Sequence, residues 1–194
     1  MSAPRPAARL SRSEPLRFKP WLAFSCLAWA AVNAITVKSA DLVPADEYLH
    51  LNSDFDISFD SSIEEAINKG VALTFLVEFQ IVEPREYWFD DEIVTVSKSV
   101  KLSYHALTKQ YLVGDEVHQK SFESLSEARQ QLSMVRDWRV VAKHELEKGA
   151  SYRAAILMRL DKTKLPKAIQ VDTLGSENWN LASPIYTWPI KELK

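Results

Sequence analysis

Hydrophobic and polar residues alternate along four stretches of the chain, as expected for β-strands that have one buried face and one exposed face. In the first two stretches the apolar positions are Leu49, Leu51, Phe55, Ile57 and Phe59, and then Leu73, Phe75, Val77, Phe79 and Ile81. In the other two they are Val94, Val96, Val100, Leu102 and Tyr104, and then Tyr152, Ala154, Ile156, Met158 and Leu160. Shorter apolar runs at 110–113, 118–122, 138–141, 168–171 and 185–190 predict further strands.

Two signals predict short helices between these strands. Each is a capping box, in which a serine is followed three residues later by a glutamate. The boxes are Ser62 with Glu65, which opens a helix at 63–69 that Gly70 can close, and Ser124 with Glu127, which opens a helix at 125–136.

Strands with one exposed face predict antiparallel sheets, and hence a sandwich or a barrel. Tyr152 follows residues 146–151 at the start of a strand, which is the pattern of the tyrosine corner of immunoglobulin-like sandwiches. We therefore predict a mainly β chain, an antiparallel immunoglobulin-like β-sandwich with two short helices. The sequence places this single domain at residues 41–194, after an N-terminal signal or anchor helix within residues 1–40.

The N-terminal segment has the composition of an export signal. Residues 1–20 are basic and proline-rich, and residues 21–35 form an apolar run without a charge. The run is shorter than the ~20 residues that a membrane-spanning helix needs, which favours a cleaved signal over a retained anchor. Cleavage after Ala34 fits the small-residue rule, and cleavage near Ser39 or Ala40 is an alternative. The sequence thus predicts export through the Sec pathway to the periplasm, with membrane contact if the segment stays uncleaved.

Charge and cysteine content narrow the function classes. Removing the six basic residues and one acid of residues 1–40 from the totals of 24 and 26 leaves the rest of the chain with a net charge of −7. We therefore expect no affinity for nucleic acid. The only cysteine, Cys26, lies in the apolar run, so the rest of the chain has no disulfide, cysteine nucleophile or thiolate metal site.

Two residue sets bear on metal binding and catalysis. Oxygen-bearing side chains from Asp54 to Glu65 follow the spacing of a calcium loop, but Phe59 stands where that loop needs glycine. A strand with an exposed face that runs into a helix cap explains the same residues. The histidines, which have no paired metal-ligand spacing, are His50, His105, His118 and His144. We expect no metal, cofactor or catalytic residue; the alternative is a hydrolase in which His105 and nearby acids assemble in space.

The segment at residues 84–92 is aromatic and charged and lies between two strong strands. It contains Arg85, Tyr87 and Trp88, residue types that supply much of the binding energy at protein interfaces. The alternative is that its aromatic residues cap one end of the sandwich. Trp179 allows the same two interpretations. We predict that Arg85, Tyr87, Trp88 and Trp179 bind a partner, and that the chain is a binding or scaffold module whose partner is another envelope protein.

Several blocks of residues resemble an uncharacterised family. They are Pro84-Arg85 with Tyr87-Trp88 and Asp90, residues 102–111 and 121–125, Leu165-Pro166, and Trp179 with Leu181 and Ser183. Over residues 46–190 the chain is similar to exported proteobacterial proteins catalogued as domain of unknown function family 4390, some of them labelled proline-rich signal peptide proteins. The resemblance implies export in a Gram-negative bacterium and assigns no functional residue. Such genes can neighbour a membrane sensor-kinase gene, which makes that kinase a candidate partner.

Overall fold

The computed structural model describes residues 34–85, 90–115, 117–147, 149–172 and 177–190, which belong to one compact unit, Val32–Lys194. The strands are β1 (Ile35–Ala45), β2 (Tyr48–Ile57), β3 (Leu73–Glu83), β4 (Asp91–His105), β5 (Gln110–Gly114), β6 (Gln119–Phe122), β7 (Met134–Ala142), β8 (Tyr152–Leu160) and β9 (Tyr186–Ile190). The helices are α1 (Ser61–Asn68), α2 (Leu125–Leu132) and α3 (Lys167–Asp172). In the described ranges no helix has the length and apolar character needed to cross a membrane. The predicted signal or anchor run lies outside these ranges, apart from its last residues.

The strands form two antiparallel sheets. The three-stranded sheet has the order β1-β2-β7, and the six-stranded sheet has the order β6-β5-β4-β3-β8-β9. The pairings β1-β2-β7 and β3-β8-β9 match those of strands A-B-E and C-F-G in an immunoglobulin domain. The predicted fold class, mainly β with an antiparallel immunoglobulin-like sandwich, is confirmed.

The core lies between the two sheets and follows the alternation of the central strands. Every second residue of β3 from Leu73 to Ile81 is fully buried, and β8 shows the same alternation. The ring of Phe79 lies 6.5 Å from that of Trp138 in β7, so this contact joins the sheets. Phe79 also lies 6.1 Å, ring to ring, from Trp188 of β9. Aromatic contacts of the buried Phe79 with two partly buried tryptophans therefore extend from the middle of the sandwich to the β9 edge.

The two predicted helices are present, with one cap corrected. Asp60, not Ser62, is the N-cap of α1: its Oδ1 accepts a hydrogen bond from the Ile63 N–H at 2.9 Å. Ser62 lies inside the helix and donates its hydroxyl to the same carboxylate. Ser124 caps α2 as predicted, because its Oγ accepts from the Glu127 N–H at 3.2 Å. However, α2 ends four residues before the predicted end, and the chain enters β7 at once.

The predicted strand at residues 168–171 is wrong, because this segment is part of helix α3. The physical reason lies just before the helix. Pro166 has a backbone φ that suits the first turn of a helix, and its carbonyl accepts the Gln170 N–H at 3.0 Å. The Gln170 side chain then donates to the Leu165 and Thr163 carbonyls. A third helix thus adds to the two predicted from capping signals.

Strand β1 was not predicted, and it begins at Ile35, inside the residues 1–40 assigned to the signal or anchor. A bulge at Lys38 shifts the register between Val37 and Ser39, so the buried positions change from odd to even numbers. Ile35 and Ala40 are the buried residues on either side of the bulge. The period of two is therefore broken in the sequence although the strand is continuous.

Three connections meet at one end of the sandwich, which we call the loop end. The β1–β2 turn contacts the β7–β8 connection, where the Lys143 N–H donates to the Glu47 carbonyl at 2.8 Å. The β3–β4 connection lies at the same end, because β3 ends beside the start of β8. The chain enters the sandwich at Ile35, which pairs with Ile57 at the opposite end. A partner bound at the loop end would therefore be far from the point of entry.

Candidate binding surface

The β3–β4 connection, predicted from sequence to bind a partner, has a base held by charged contacts. The Arg85 guanidinium forms an ion pair with Asp91, and the Arg85 N–H donates to Asp90 Oδ1 at 3.3 Å. The Asp90 carboxylate also lies 3.8 Å from the Arg153 guanidinium of β8. Arg85 remains about half exposed, with 52% of its side-chain surface accessible. Tyr87 and Trp88 lie outside the described residues, so their binding role stays a prediction.

Trp179 is largely buried. Only 9% of its surface is exposed, and it belongs to the same core cluster as Leu165 and Leu181. The chain after it pairs with β8, where the Leu160 N–H donates to the Leu181 carbonyl at 2.7 Å. These contacts favour the structural interpretation of Trp179 over the binding one, because little of the indole is left for a partner.

The four histidines lie on four separate parts of the chain. His105 ends β4, and its Nδ1 accepts the Thr108 N–H at 3.3 Å and lies 3.1 Å from Thr108 Oγ1. His118 Nδ1 lies 3.6 Å from an oxygen of Asp115 in the β5–β6 turn. His50 is on β2, and His144 is in a short 3₁₀ turn after β7. The contacts of His105 thus stabilise its own turn, which is an ordinary structural role.

Three acids of the calcium-like spacing, Asp54, Asp56 and Asp60, have structural partners. Asp54 pairs with Arg136 of β7, and this hydrogen bond holds the pKa of the Asp54 carboxyl below its usual value. Asp56 lies 3.3 Å from Lys38 Nζ, and Asp60 caps α1. The structure therefore shows these residues as a strand that runs into a helix cap, which is the second of the two interpretations. Among the residues that the structure describes, no three His, Cys, Asp or Glu side chains are grouped to hold a metal ion.

The outer face of the three-stranded sheet carries a candidate that the sequence analysis missed. An open depression of about 540 Å³ lies at the loop end, where β1 turns into β2. Its lining residues, which we call the Tyr48 patch, are Ala45, Asp46, Glu47, Tyr48, His50 and Arg139. Tyr48 could have been found from the sequence, because it is an aromatic residue at an exposed position of an alternating strand. Nothing in the sequence indicated that Arg139 lies beside it.

Strand pairing sets the geometry of the Tyr48 patch. Val43 pairs with His50, and His50 pairs with Arg139, so the three form one row across the sheet. Tyr48 lies two positions before His50 and therefore on the same face. The Arg139 guanidinium carbon lies 4.7 Å from the centroid of the Tyr48 ring, a cation–π contact worth about 0.5–1 kcal/mol at an exposed site. Val43 and Tyr48 are 45% and 37% exposed, so apolar surface accompanies the charge.

Comparison with known proteins identifies a family. The family model described as a domain of unknown function (DUF4390) covers residues 32–189. No curated protein and no solved structure matches the chain. The matched range contains the whole Tyr48 patch, Arg85 and Trp179, and it ends one residue before the end of β9.

Proposed function

Because the chain belongs to the family described as a domain of unknown function (DUF4390), which names no activity, we propose a function from the surface of the molecule itself. The protein is an exported binding module of a Gram-negative cell envelope, and it recognises another envelope protein through the Tyr48 patch. The extracytoplasmic part of a membrane sensor kinase belongs to this partner class.

Export is supported by the order of the N-terminal residues. A basic, proline-rich stretch is followed by an uncharged apolar run, which is the arrangement of a secretory signal. The remainder of the chain is acidic, which disfavours nucleic acid as a partner because phosphates would be repelled. Recognition of a protein in the envelope is consistent with both features.

The contact of Arg139 with the Tyr48 ring is the observation that carries the binding proposal. Tyrosine and arginine are enriched among the residues that dominate binding energy. Here each restrains the other on a rigid sheet, so less side-chain entropy is lost when a partner binds. Both stand in a depression, which lets a protruding side chain of the partner contact the ring and the guanidinium together.

The charges of the Tyr48 patch indicate the partner's chemistry. Both signs of charge line the depression: Asp46 and Glu47 lie in the β1–β2 turn, and Arg139 lies on β7. We expect a partner surface with an apolar or aromatic side chain for Tyr48, a carboxylate for Arg139 and a cation for the two acids. Complementary charges of this kind chiefly set partner choice and the rate of association.

Site-directed photo-crosslinking in the cell tests this proposal. A photo-crosslinking amino acid in place of Val43 stands beside the Tyr48 patch without being part of it. The same amino acid in place of Leu107, which is 92% exposed in the β4–β5 turn, is the matched control. We expect one defined envelope protein to be crosslinked from position 43 and not from position 107. The product should be lost with Tyr48→Ala plus Arg139→Ala and kept with Tyr48→Phe.

The opposite pattern contradicts the proposal. Equal crosslinking from both positions would show that capture is non-specific. A product at position 43 that survives the double substitution would show that the partner binds β1 without using the Tyr48 patch.

A further inference from the structure

The start of strand β1 restricts where an export signal can be removed. Ala34 is already part of the fold, because its carbonyl accepts the Ser58 N–H at 2.8 Å and lies 3.4 Å from the Ser58 hydroxyl. Ile35 follows with none of its surface exposed and pairs with Ile57. Removal of Ala34 would thus delete the acceptor for the Ser58 N–H.

Cleavage after Ala34 would also create a positive charge at a buried position. The new amino terminus would be the ammonium of Ile35, a residue with no solvent exposure. Burial of an unpaired ammonium is strongly unfavourable, so this first turn of β1 would have to detach from β2.

Cleavage near Ser39 or Ala40 is still more costly to the fold. It would remove the buried side chain of Ile35 and the first half of β1. The Ser39 carbonyl accepts the hydroxyl of Ser53 at 2.8 Å, and Ser53 is only 1% exposed. Loss of the segment would leave that buried hydroxyl without its partner.

We infer that the signal is removed between Ala30 and Ala31, an inference that rests on the proposed export. Signal removal requires small residues three and one positions before the cut, and Ala28-Trp29-Ala30 supplies them. Residues 21–27 remain as the apolar run, which is near the lower limit of about 7 residues for a signal. The family match begins at residue 32, close to this cut.

The chemistry is hydrolysis of one peptide bond by a membrane-bound peptidase of the export pathway. Water adds to the Ala30 carbonyl carbon, the C–N bond to Ala31 breaks, and both protons of the water end on the Ala31 nitrogen. The products are the Ala30 carboxylate on the signal and an ammonium on Ala31. Cleavage at this bond leaves Ala34 in the chain, so its carbonyl keeps its contacts with Ser58.

The test is the amino-terminal sequence and the intact mass of the full-length gene product recovered from the envelope of a Gram-negative host. We expect the sequence Ala-Val-Asn-Ala-Ile, beginning at Ala31. A terminus at Ile35, Ala40 or Asp41, or an uncleaved chain in the envelope, would overturn the inference. Fusion of residues 1–45 to a reporter active only in the periplasm separates the two ideas. An inactive reporter would contradict the export proposal. An active reporter together with another amino terminus would contradict only the inferred cleavage site.

Two matched substitutions sharpen the result. Ala30→Leu places a large side chain directly before the inferred cut and should make the precursor the main species. Ala34→Leu makes the same change directly before the alternative cut and should leave the terminus at Ala31. If Ala34→Leu blocks processing and Ala30→Leu does not, the bond after Ala34 is the one cleaved and the inference is wrong.

Discussion

The hydroxyl of Tyr152 accepts a hydrogen bond from the backbone N–H of Glu147, at 2.9 Å, across the connection from β7 to β8. Tyr152 is the first residue of β8, the equivalent of strand F, and only 7% of its surface is exposed. The predicted tyrosine corner is therefore confirmed. It fixes the path of the chain where it crosses from the three-stranded to the six-stranded sheet, at the loop end.

Replacement of Tyr152 by phenylalanine should destabilise the domain. The change keeps the buried ring and removes only the hydroxyl, so the Glu147 N–H loses its acceptor. We expect Tyr152→Phe to lower the free energy of unfolding by about 1–3 kcal/mol, measured by chemical denaturation. Tyr48→Phe, at an exposed ring, is the control and should leave the midpoint unchanged. Equal midpoints for Tyr152→Phe and the wild type would contradict a stabilising corner.

The assignment of Ile35 to the folded domain makes a second prediction. Its side chain is fully buried, so Ile35→Ala leaves a cavity and should cost about 2–5 kcal/mol of unfolding free energy. Val43→Ala, on the exposed face of the same strand, should change it by no more than about 0.5 kcal/mol. Thermal and chemical denaturation of the envelope-purified protein measure both. Similar small effects would mean that β1 is not part of the stable core.

The ion pair of Asp54 with Arg136 predicts a pH dependence of stability. The hydrogen bond from Arg136 lowers the pKa of Asp54 from 3.8 in the folded state. A lowered folded-state pKa stabilises the fold fully above the unfolded value, and that stabilisation is lost as the pH falls through the folded value. Because 42% of the Asp54 side chain is exposed, the contribution is at most about 1 kcal/mol.

Denaturation at pH 5 and at pH 3 tests this contribution. The wild type should lose more unfolding free energy between the two values than Asp54→Asn, which has no carboxylate to protonate. Arg136→Gln should show the same reduced pH dependence, because it removes the first cause of the shift. Identical losses in all three proteins would mean that the pair adds nothing in solution.

The sequence predicted the strands whose alternation is unbroken. β3 and β8 pair along their length with no register shift between them. Alternation of apolar and polar residues in the sequence therefore corresponds directly to alternation of buried and outward-facing side chains. β1 and β7 contain bulges that break the period of two, so β1 was not predicted and β7 was predicted only at residues 138–141. At the β7 bulge Asp137 has a φ of 48°, and its N–H donates to the Asn52 side chain at 2.9 Å. A local pattern contains no information about such long-range contacts.

The candidate site was predicted less well than the fold, for the same reason. Arg85 is predicted to bind because its neighbours in sequence are aromatic and charged. The Tyr48 patch requires Arg139, which reaches Tyr48 only because β2 pairs with β7 in one register. Trp179 is predicted to bind a partner, with a structural role as the alternative, and its burial beside β8 favours the alternative. Residue type marks potential anchors, and sheet register decides which of them meet at the surface.

The predicted role of Trp88 is tested separately from the Tyr48 patch. If Trp88 is a binding anchor, Trp88→Ala should fold with the wild-type Tm and lose partner capture, because binding energy concentrates in such residues. If it is a core residue, the substitution should cost several kcal/mol of stability, about 3–5 for a large aromatic. Circular dichroism melts and co-purification from envelope extracts distinguish the outcomes, and a large drop in Tm would reject Trp88 as a binding residue.

We propose that the Tyr48 patch, and not a site built on His105, carries the binding function. Its most direct test is the amount of the crosslinked envelope partner that co-purifies with the full-length protein, its Arg139→Ala variant and its His105→Ala variant. We predict that Arg139→Ala keeps the wild-type Tm and reduces partner recovery about tenfold or more, as expected for a loss of ~1.4 kcal/mol or more at a dominant contact. His105→Ala should recover the partner fully. Undiminished recovery with Arg139→Ala, or a loss confined to His105→Ala, would contradict a binding role of the Tyr48 patch.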